Sequence, residues 1–356
     1  MPNPLESARN PEQLEEQRSQ TLKCAPPLIA KALQRIEEIA QVNRQTKWDN
    51  RHMRVIEDLR KLYQLLYQLG GWLKTEASVG TPIPVNEFLA REQIPLTLGD
   101  MRRDNDIYSA AVLKVLTEWA EKGKQAMVRL TNGKEVPAVS MVGETRMPNH
   151  ILVYNLRKGL ISKSPGLEDL AIRIATTTPV VDFVLLPKVF DDPYKNTQGL
   201  LQRLTKQTEQ QKRDNSFRGV VFPMVDLRIT EERINELIGA TVMGGDGKPV
   251  IIAQAKGYML LQMNEAATRA EATAALVGAI TSISPIIKPV VVIDRPFTVI
   301  LRVNDTPVMA VSVDYPNMKD PGNVGGLERG EIDPYIYSSN DMSSLLSSGR
   351  GNLRGF

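Results

Sequence analysis

Residues 256–297 read KGYMLLQMNEAATRAEATAALVGAITSISPIIKPVVVIDRPF, and the character of the chain changes twice within them. Tyr258, Leu260 and Gln262 alternate with Met259, Leu261 and Met263. An apolar run of this length predicts a buried strand covered on both faces. From Thr268 onward the pattern changes: Thr268, Ala270, Ala272 and Ala274 are small, while Arg269, Glu271 and Thr273 between them are polar. Alternate residues of a strand point to opposite faces, so an extended form would have one nearly flat face and one soluble face. Propensity runs the other way, because Ala and Glu favour helix and Glu265 to Ala275 in isolation is the better helix. Such a conflict is what a segment needs if it is a soluble loop in one state and slides between strands in another.

The sequence on either side tips the balance. Asn264 and Glu265 are followed by Thr268 and then by Ala270 and Ala272. Downstream, Arg295-Pro296-Phe297 leads into TVILRVNDTPVMAVSVDYP. Upstream lie VVFPMVDLRIT with ERINELIGA behind it, then VVDFVLLPK, and farthest back RLTNGKEVPAVSMVGE. In this order, over about Val128 to Pro316, these elements resemble the serpins, the large family of suicide protease inhibitors and their non-inhibitory relatives. The resemblance implies an α+β fold of serpin-like mixed sheets with a helical amino-terminal layer. It also implies an exposed reactive loop over about 266–288, whose hinge is Asn264, Glu265, Thr268, Ala270, Ala272 and Ala274. In the mechanism it implies, a protease acylates the loop, and the cut loop inserts as a central strand and distorts the captured enzyme.

Counting forward from the hinge by the family's spacing puts the scissile bond near Thr281 and Ser282. Counting back from Pro296-Phe297 gives Pro285 and Ile286, with Ile283 and Ser284 lying between. The first basic residue after Arg269 is Lys288, so the expected target is a serine protease that reads small or aliphatic residues rather than a trypsin-like one. The chain also departs from the family. Ala267 stands where the hinge usually has Gly, and Glu271 interrupts the small run, although on the outward face. Residues before about 126 lack the family's Asn-containing helix and a clear tryptophan-bearing central strand. Residues 317–356 continue past the usual end. These departures keep a second reading open, a non-inhibitory serpin-fold protein with a structural or binding role in a larger assembly. A coat-like or nucleic-acid-packaging protein is a third, without a positive motif.

With 356 residues, 42% of them hydrophobic, the chain can bury a sizeable core. Lys and Arg number 44 against 41 Asp and Glu, so no dedicated nucleic-acid surface is expected. Aromatics are 5%, too few for base-stacking platforms. The one cysteine, Cys24, rules out an internal disulfide. No apolar run is long enough to span a membrane, and the start has no apolar core, so a cytoplasmic, intracellular protein is expected.

Four regions are expected. Residues 1–20 are polar and read as a flexible arm. Residues 21–125 read as helical, with helices opening at Pro26-Pro27, running from His52 to Leu73 and ending at Gly70-Gly71, and running from Asp104 to Lys122. The span between these, Val79 to Gly99, is broken by Pro82, Pro84 and Pro95. Residues 126–316 form the sheet body, with strands at Ile151 to Tyr154, Val180 to Leu186 and Val220 to Ile229, and helices at Leu200 to Lys212 and Glu231 to Ile238. For the second helix Thr230 is the N-cap and two Glu lie in the first turn. Residues 317–356, mixed Gly, Ser, Pro and Asp, read as a flexible tail that, like the amino-terminal helices, could hold an assembly partner or a second copy.

Catalytic patterns are missing. His52 and His150 are the two histidines, neither lies in an HExxH motif, and Cys24 has no metal-ligand companion. MGGDGK at 243–248 has the wrong spacing for a phosphate loop and reads as a hairpin turn. No enzyme activity, cofactor or metal is expected.

Overall fold

The structure is a computed structural model that describes residues 19–43, 45–99, 107–113, 115–144, 146–156, 166–206, 216–266, 288–326 and 329–338. Its helices are α1 (Gln20–Cys24), α2 (Pro26–Ile39), α3 (Met53–Lys61), α4 (Tyr63–Leu69), α5 (Ile83–Arg91) and α6 (Pro193–Lys206). The first eight strands are β1 (Leu73–Val79), β2 (Ile107–Leu113), β3 (Lys124–Arg129), β4 (Glu135–Val142), β5 (Ile151–Asn155), β6 (Leu170–Ala175), β7 (Val181–Leu186) and β8 (Gly219–Pro223). The rest are β9 (Val225–Arg233), β10 (Thr241–Met243), β11 (Pro249–Ile251), β12 (Lys256–Met263), β13 (Val291–Val292), β14 (Phe297–Val303), β15 (Thr306–Val313) and β16 (Ile332–Tyr337). The fold class is α+β. The chain divides into two compact units, Met1–Val115 with Arg228–Leu260, and Leu116–Leu227 with Leu261–Phe356. The two units interleave along the chain.

In the first unit α2 opens on its two prolines, whose missing N–H groups cost nothing in a first helical turn. The expected long second helix is two, α3 and α4, broken at Leu62 and ended by Gly70 in a positive-φ conformation (φ +50°). Two expectations fail here. Asp104 to Lys122 is not a helix: Ile107–Leu113 is strand β2, antiparallel to β1. Its buried Tyr108 and Val112 are four apart, a spacing that fits one face of either a helix or a strand. The proline-broken stretch is the helix α5, because Pro82 caps it and Pro84 sits in its first turn. Val85, Phe88 and Leu89 of α5 pack with Tyr108 and Val112, so the amino-terminal region is helices on a two-stranded sheet.

The expected helix at Glu231 to Ile238 is also absent. Strand β9 continues through Arg233, and Asn235 to Gly239 form turns. Its acidic residues cap another helix instead: Glu232 accepts the N–H groups of Gln20 (2.7 Å) and Thr21 (2.8 Å) and the Thr21 hydroxyl (2.7 Å), and Glu236 accepts the Ser19 N–H. The MGGDGK stretch is the hairpin expected of it, joining β10 to β11 with Gly247 at φ +77°.

The second unit holds two five-stranded sheets, ordered β15-β14-β7-β6-β5 and β13-β8-β4-β3-β16. In the first, β14 is laddered on both edges, to β15 and to β7, and every residue of β7 and β14 is buried. The β14–β15 turn is Asn304-Asp305, both at positive φ (51° and 61°), which these two side chains tolerate and a tight hairpin requires. Buried between strands, Arg302 forks onto Asp182 (2.6 and 2.7 Å), which also takes Arg173 Nε at 2.8 Å. Tyr194 of α6 donates to the Pro307 carbonyl (3.0 Å), tying that helix to β15. The helix starts earlier than the expected Leu200, and residues 207–212 of that expectation lie outside the described residues.

In the second sheet β3 and β4 form an antiparallel hairpin across the Asn132-Gly133 turn, with Gly133 at φ +84°. The outermost strand comes from the segment expected to be a flexible tail: β16 runs parallel to β3. Tyr337 donates to Asp333 Oδ2 (2.9 Å), and burial with the neighbouring Asp333 carboxylate pushes its phenol up to about 12.

Candidate functional site

Strand β12 pairs with β9, its one ladder partner among the described residues. Gly257, Met259, Leu261 and Met263 are buried on one face, whereas Leu260 on the other is exposed. The expectation that both faces are covered is therefore corrected: the alternation is that of a half-buried strand, and the run of large apolar residues concealed it. Gly257 is required by a close approach, since a Cβ there would lie 2.1 Å from the Thr21 hydroxyl oxygen.

Past Met263 the chain turns, and Asn264, Glu265 and Ala266 are wholly buried. The Asn264 carbonyl accepts the Trp119 indole N–H (2.8 Å), and its side-chain oxygen accepts the Ala266 N–H (2.9 Å). Its amide nitrogen donates to the Gly322 carbonyl (2.8 Å). Trp119 is itself held edge-on against Phe183 and Phe222, with ring centres 5.3 and 6.1 Å away.

The Glu265 carboxylate is buried and fully engaged. Oε1 takes Arg329 Nε (2.5 Å) and the Gly330 N–H (3.0 Å), and Oε2 takes Arg329 Nη2 (3.1 Å). The Glu265 carbonyl accepts the Gly123 N–H (3.3 Å). On its far side Arg329 Nη1 donates to both oxygens of Asp320, 3.0 Å to each. Burial works against the guanidinium charge, but Glu265 and Asp320 outweigh it and hold Arg329 above its ordinary range. Gly330 is needed where it stands, because a Cβ would meet the Gly123 carbonyl at 2.6 Å.

Of the hinge residues expected from the sequence, Asn264 and Glu265 are brought together in this cluster. Thr268, Ala270, Ala272 and Ala274, and the candidate scissile positions Thr281, Ser282, Ile283, Ser284 and Pro285, lie outside the described residues. The chain is described again from Lys288 and enters β13, an edge strand parallel to β8. Two members of the cluster escaped the sequence analysis. Trp119 falls within the stretch Asp104 to Lys122 expected as a helix, and Arg329 within the expected tail 317–356. A lone Arg among Gly and Asp gives no periodic signal. Among the described residues no group of three or more metal-ligating side chains gathers, and no helix is long and apolar enough to cross a membrane.

No family model matches the sequence, and no curated protein does. Solved structures do match. The chain is similar to Tengpin, a thermophilic serpin in its native state, at 12% identity and a TM-score of 0.48, over 86% of this chain and 95% of that one. It is similar also to Serpin48, a highly specific serpin of the insect Tenebrio molitor, at 9% identity and a TM-score of 0.42, over 81% and 88% of the two chains.

Proposed function

We propose that this chain is a serpin-like protease inhibitor in which the segment after β12 is the reactive loop. A serine protease that reads small or aliphatic residues would cut it between about Thr281 and Pro285, and the freed amino-terminal part would add to the edge of β12 opposite β9. One observation carries the proposal: residues 267–287, which open with the alternating small and polar pattern of Thr268 to Ala274, link a strand that has a single ladder partner among the described residues to an edge strand of a different sheet. Adding a strand to β12 would gain ladder hydrogen bonds and apolar burial, stored until a cut releases the loop.

The test is to cut the chain with an elastase-type protease and melt the product. An added strand worth several kcal/mol should raise Tm by on the order of 10 °C, and a fraction of the protease should stay covalently bound through denaturing electrophoresis. A cleaved form with unchanged Tm and no covalent adduct would overturn inhibition. The non-inhibitory reading then stands, a serpin-like structural or binding protein. The fixed geometry of Asn264 and Glu265 favours that reading, since a tightly held hinge resists the movement insertion needs.

A further inference from the structure

The segment that follows β15 is attached to the second unit at several points along its length. Tyr315 Oη bonds Thr131 Oγ1 (2.8 Å), Met318 and Val324 are buried, and Lys319 pairs with Asp226 of β9 (3.6 Å). The carbonyl of Gly322 takes the Asn264 amide, and Arg329 takes Glu265. Lys122 Nζ donates to the Arg329 carbonyl (2.9 Å) and Gln125 Nε2 to that of Gly330 (2.8 Å), after which β16 joins β3. Two of these contacts land on Asn264 and Glu265, the first two residues after β12. The far end is the weaker one. β16 contains Pro334, breaks register between Ile332 and Ile336, and leaves Ile332 77% and Tyr335 69% exposed.

We propose that this segment is a built-in lock on the hinge, with Arg329 as its pin. Its release would begin at β16 and must precede any movement of Asn264 to Ala266. The lock rests on the hinge role proposed above, and it supplies the regulation of that role. A buried carboxylate cannot leave its cation without either desolvated charge or a rearrangement. While Arg329 is seated, then, the end of β12 is held in place. Withdrawing β16 would loosen the contacts of Lys122 and Gln125 with the Arg329 and Gly330 carbonyls, which set the backbone at the pin and just after it. Arg329 is a positioning residue here, acting on the loop through Glu265.

Three amides report the lock directly: Ala266 N–H on Asn264, Gly123 N–H on the Glu265 carbonyl, and Gly330 N–H on the Glu265 carboxylate. Hydrogen exchange on the full chain should show them speeded on the order of 100-fold by Arg329→Ala, since breaking a buried pair lowers the local opening energy by that much. Arg329→Lys should fall between, because an ammonium lacks the guanidinium fork. Ladder amides of β7 and β14 should not change. Should Arg329→Ala fail to fold, the double variant Glu265→Gln with Arg329→Gln leaves neither member of the pair as an unpaired buried charge, and the same three amides are expected to speed up in it. Unchanged exchange at all three, or an equal acceleration through β7 and β14, would overturn the lock. The experiment uses no protease, so it stands or falls apart from the melting test: selective amide acceleration with no Tm gain on cutting would keep the lock and remove inhibition.

Discussion

Strands β14 and β12 are both apolar, FTVILRV against KGYMLLQM, yet they are used differently. β14 is bonded on both edges and buried on both faces, with its one charge, Arg302, forked onto Asp182. β12 is bonded to β9, buried on alternate residues, and ends in a carboxylate held by a residue far along the chain. A strand completed on every side has nothing further to gain, whereas one that has a single ladder partner among the described residues offers an edge for a second. Under the proposed mechanism the capacity for change would therefore sit in β12 and the residues that follow it, and the resistance to change in the β5–β7 and β14–β15 sheet.

The largest expected effect would break this contrast outright. In a chain cut within 267–287, Ala270→Arg should abolish the Tm gain of on the order of 10 °C, because an inward charge would be buried without a partner. If the variant melts as high as the parent after cutting, no strand is added at β12. Next in size is a change in the completed sheet. Asp182→Ala takes the buried carboxylate from Arg302 and Arg173, leaving Arg302 only the exposed Asp305 at 3.3 Å, and should cost about 3–5 kcal/mol, read as a lowered urea midpoint. The same loss is expected in cut and uncut chains; a loss confined to one of them would show that the two strands are not independent. Smaller again, Gly257→Ala forces a Cβ against Thr21 and should cost about 1–3 kcal/mol. Trp119→Phe removes the indole donor to Asn264 and should cost about 1–2 kcal/mol, with the loss concentrated in the exchange of the Ala266 amide.

How much of this was legible follows from what kind of signal each element leaves. The strands of the completed sheet are short apolar runs closed by turn residues, and VVDFVLLPK and TVILRVNDTPVMAVSV disclose them without help. Strand β2 was hidden because Tyr108 and Val112 satisfy helical spacing as well as strand spacing, and only the neighbouring β1 decides between them. Glu231 and Glu232 looked like the first turn of a helix because acidic side chains favour helix starts, and Glu232 does cap one, but α1 rather than its own. Glu265 was singled out by resemblance, yet its partner Arg329 is 64 residues away. Long-range pairing of that kind has no local period. The exposed face of β12 was misjudged for a related reason: composition reports how apolar a residue is and not how many neighbours reach it.

The smallest expected effect concerns His150, whose side chain is buried and whose carbonyl accepts the Ala175 N–H (2.9 Å). Its Nδ1 lies 3.3 Å from Glu121 Oε2, close enough for charge attraction but without good hydrogen-bond geometry, and neither ring nitrogen finds a protein hydrogen-bond partner. Burial lowers the pKa of this imidazole, with the Glu121 carboxylate pulling the other way. A folded-state pKa below the unfolded one means that the unfolded chain takes up the proton first as pH falls. Stability is therefore full above about pH 6.5 and declines as pH falls from there through the folded-state value. One proton limits the slope to about 1.4 kcal/mol per pH unit, and the opposing pull of Glu121 keeps the effect smaller. His150→Phe should flatten urea midpoints measured between pH 7 and 5, and Glu121→Gln should steepen them by removing the one attraction that favours the charged form. A steeper decline in His150→Phe, or none to flatten in the parent, would mean that the imidazole is not held neutral by its burial.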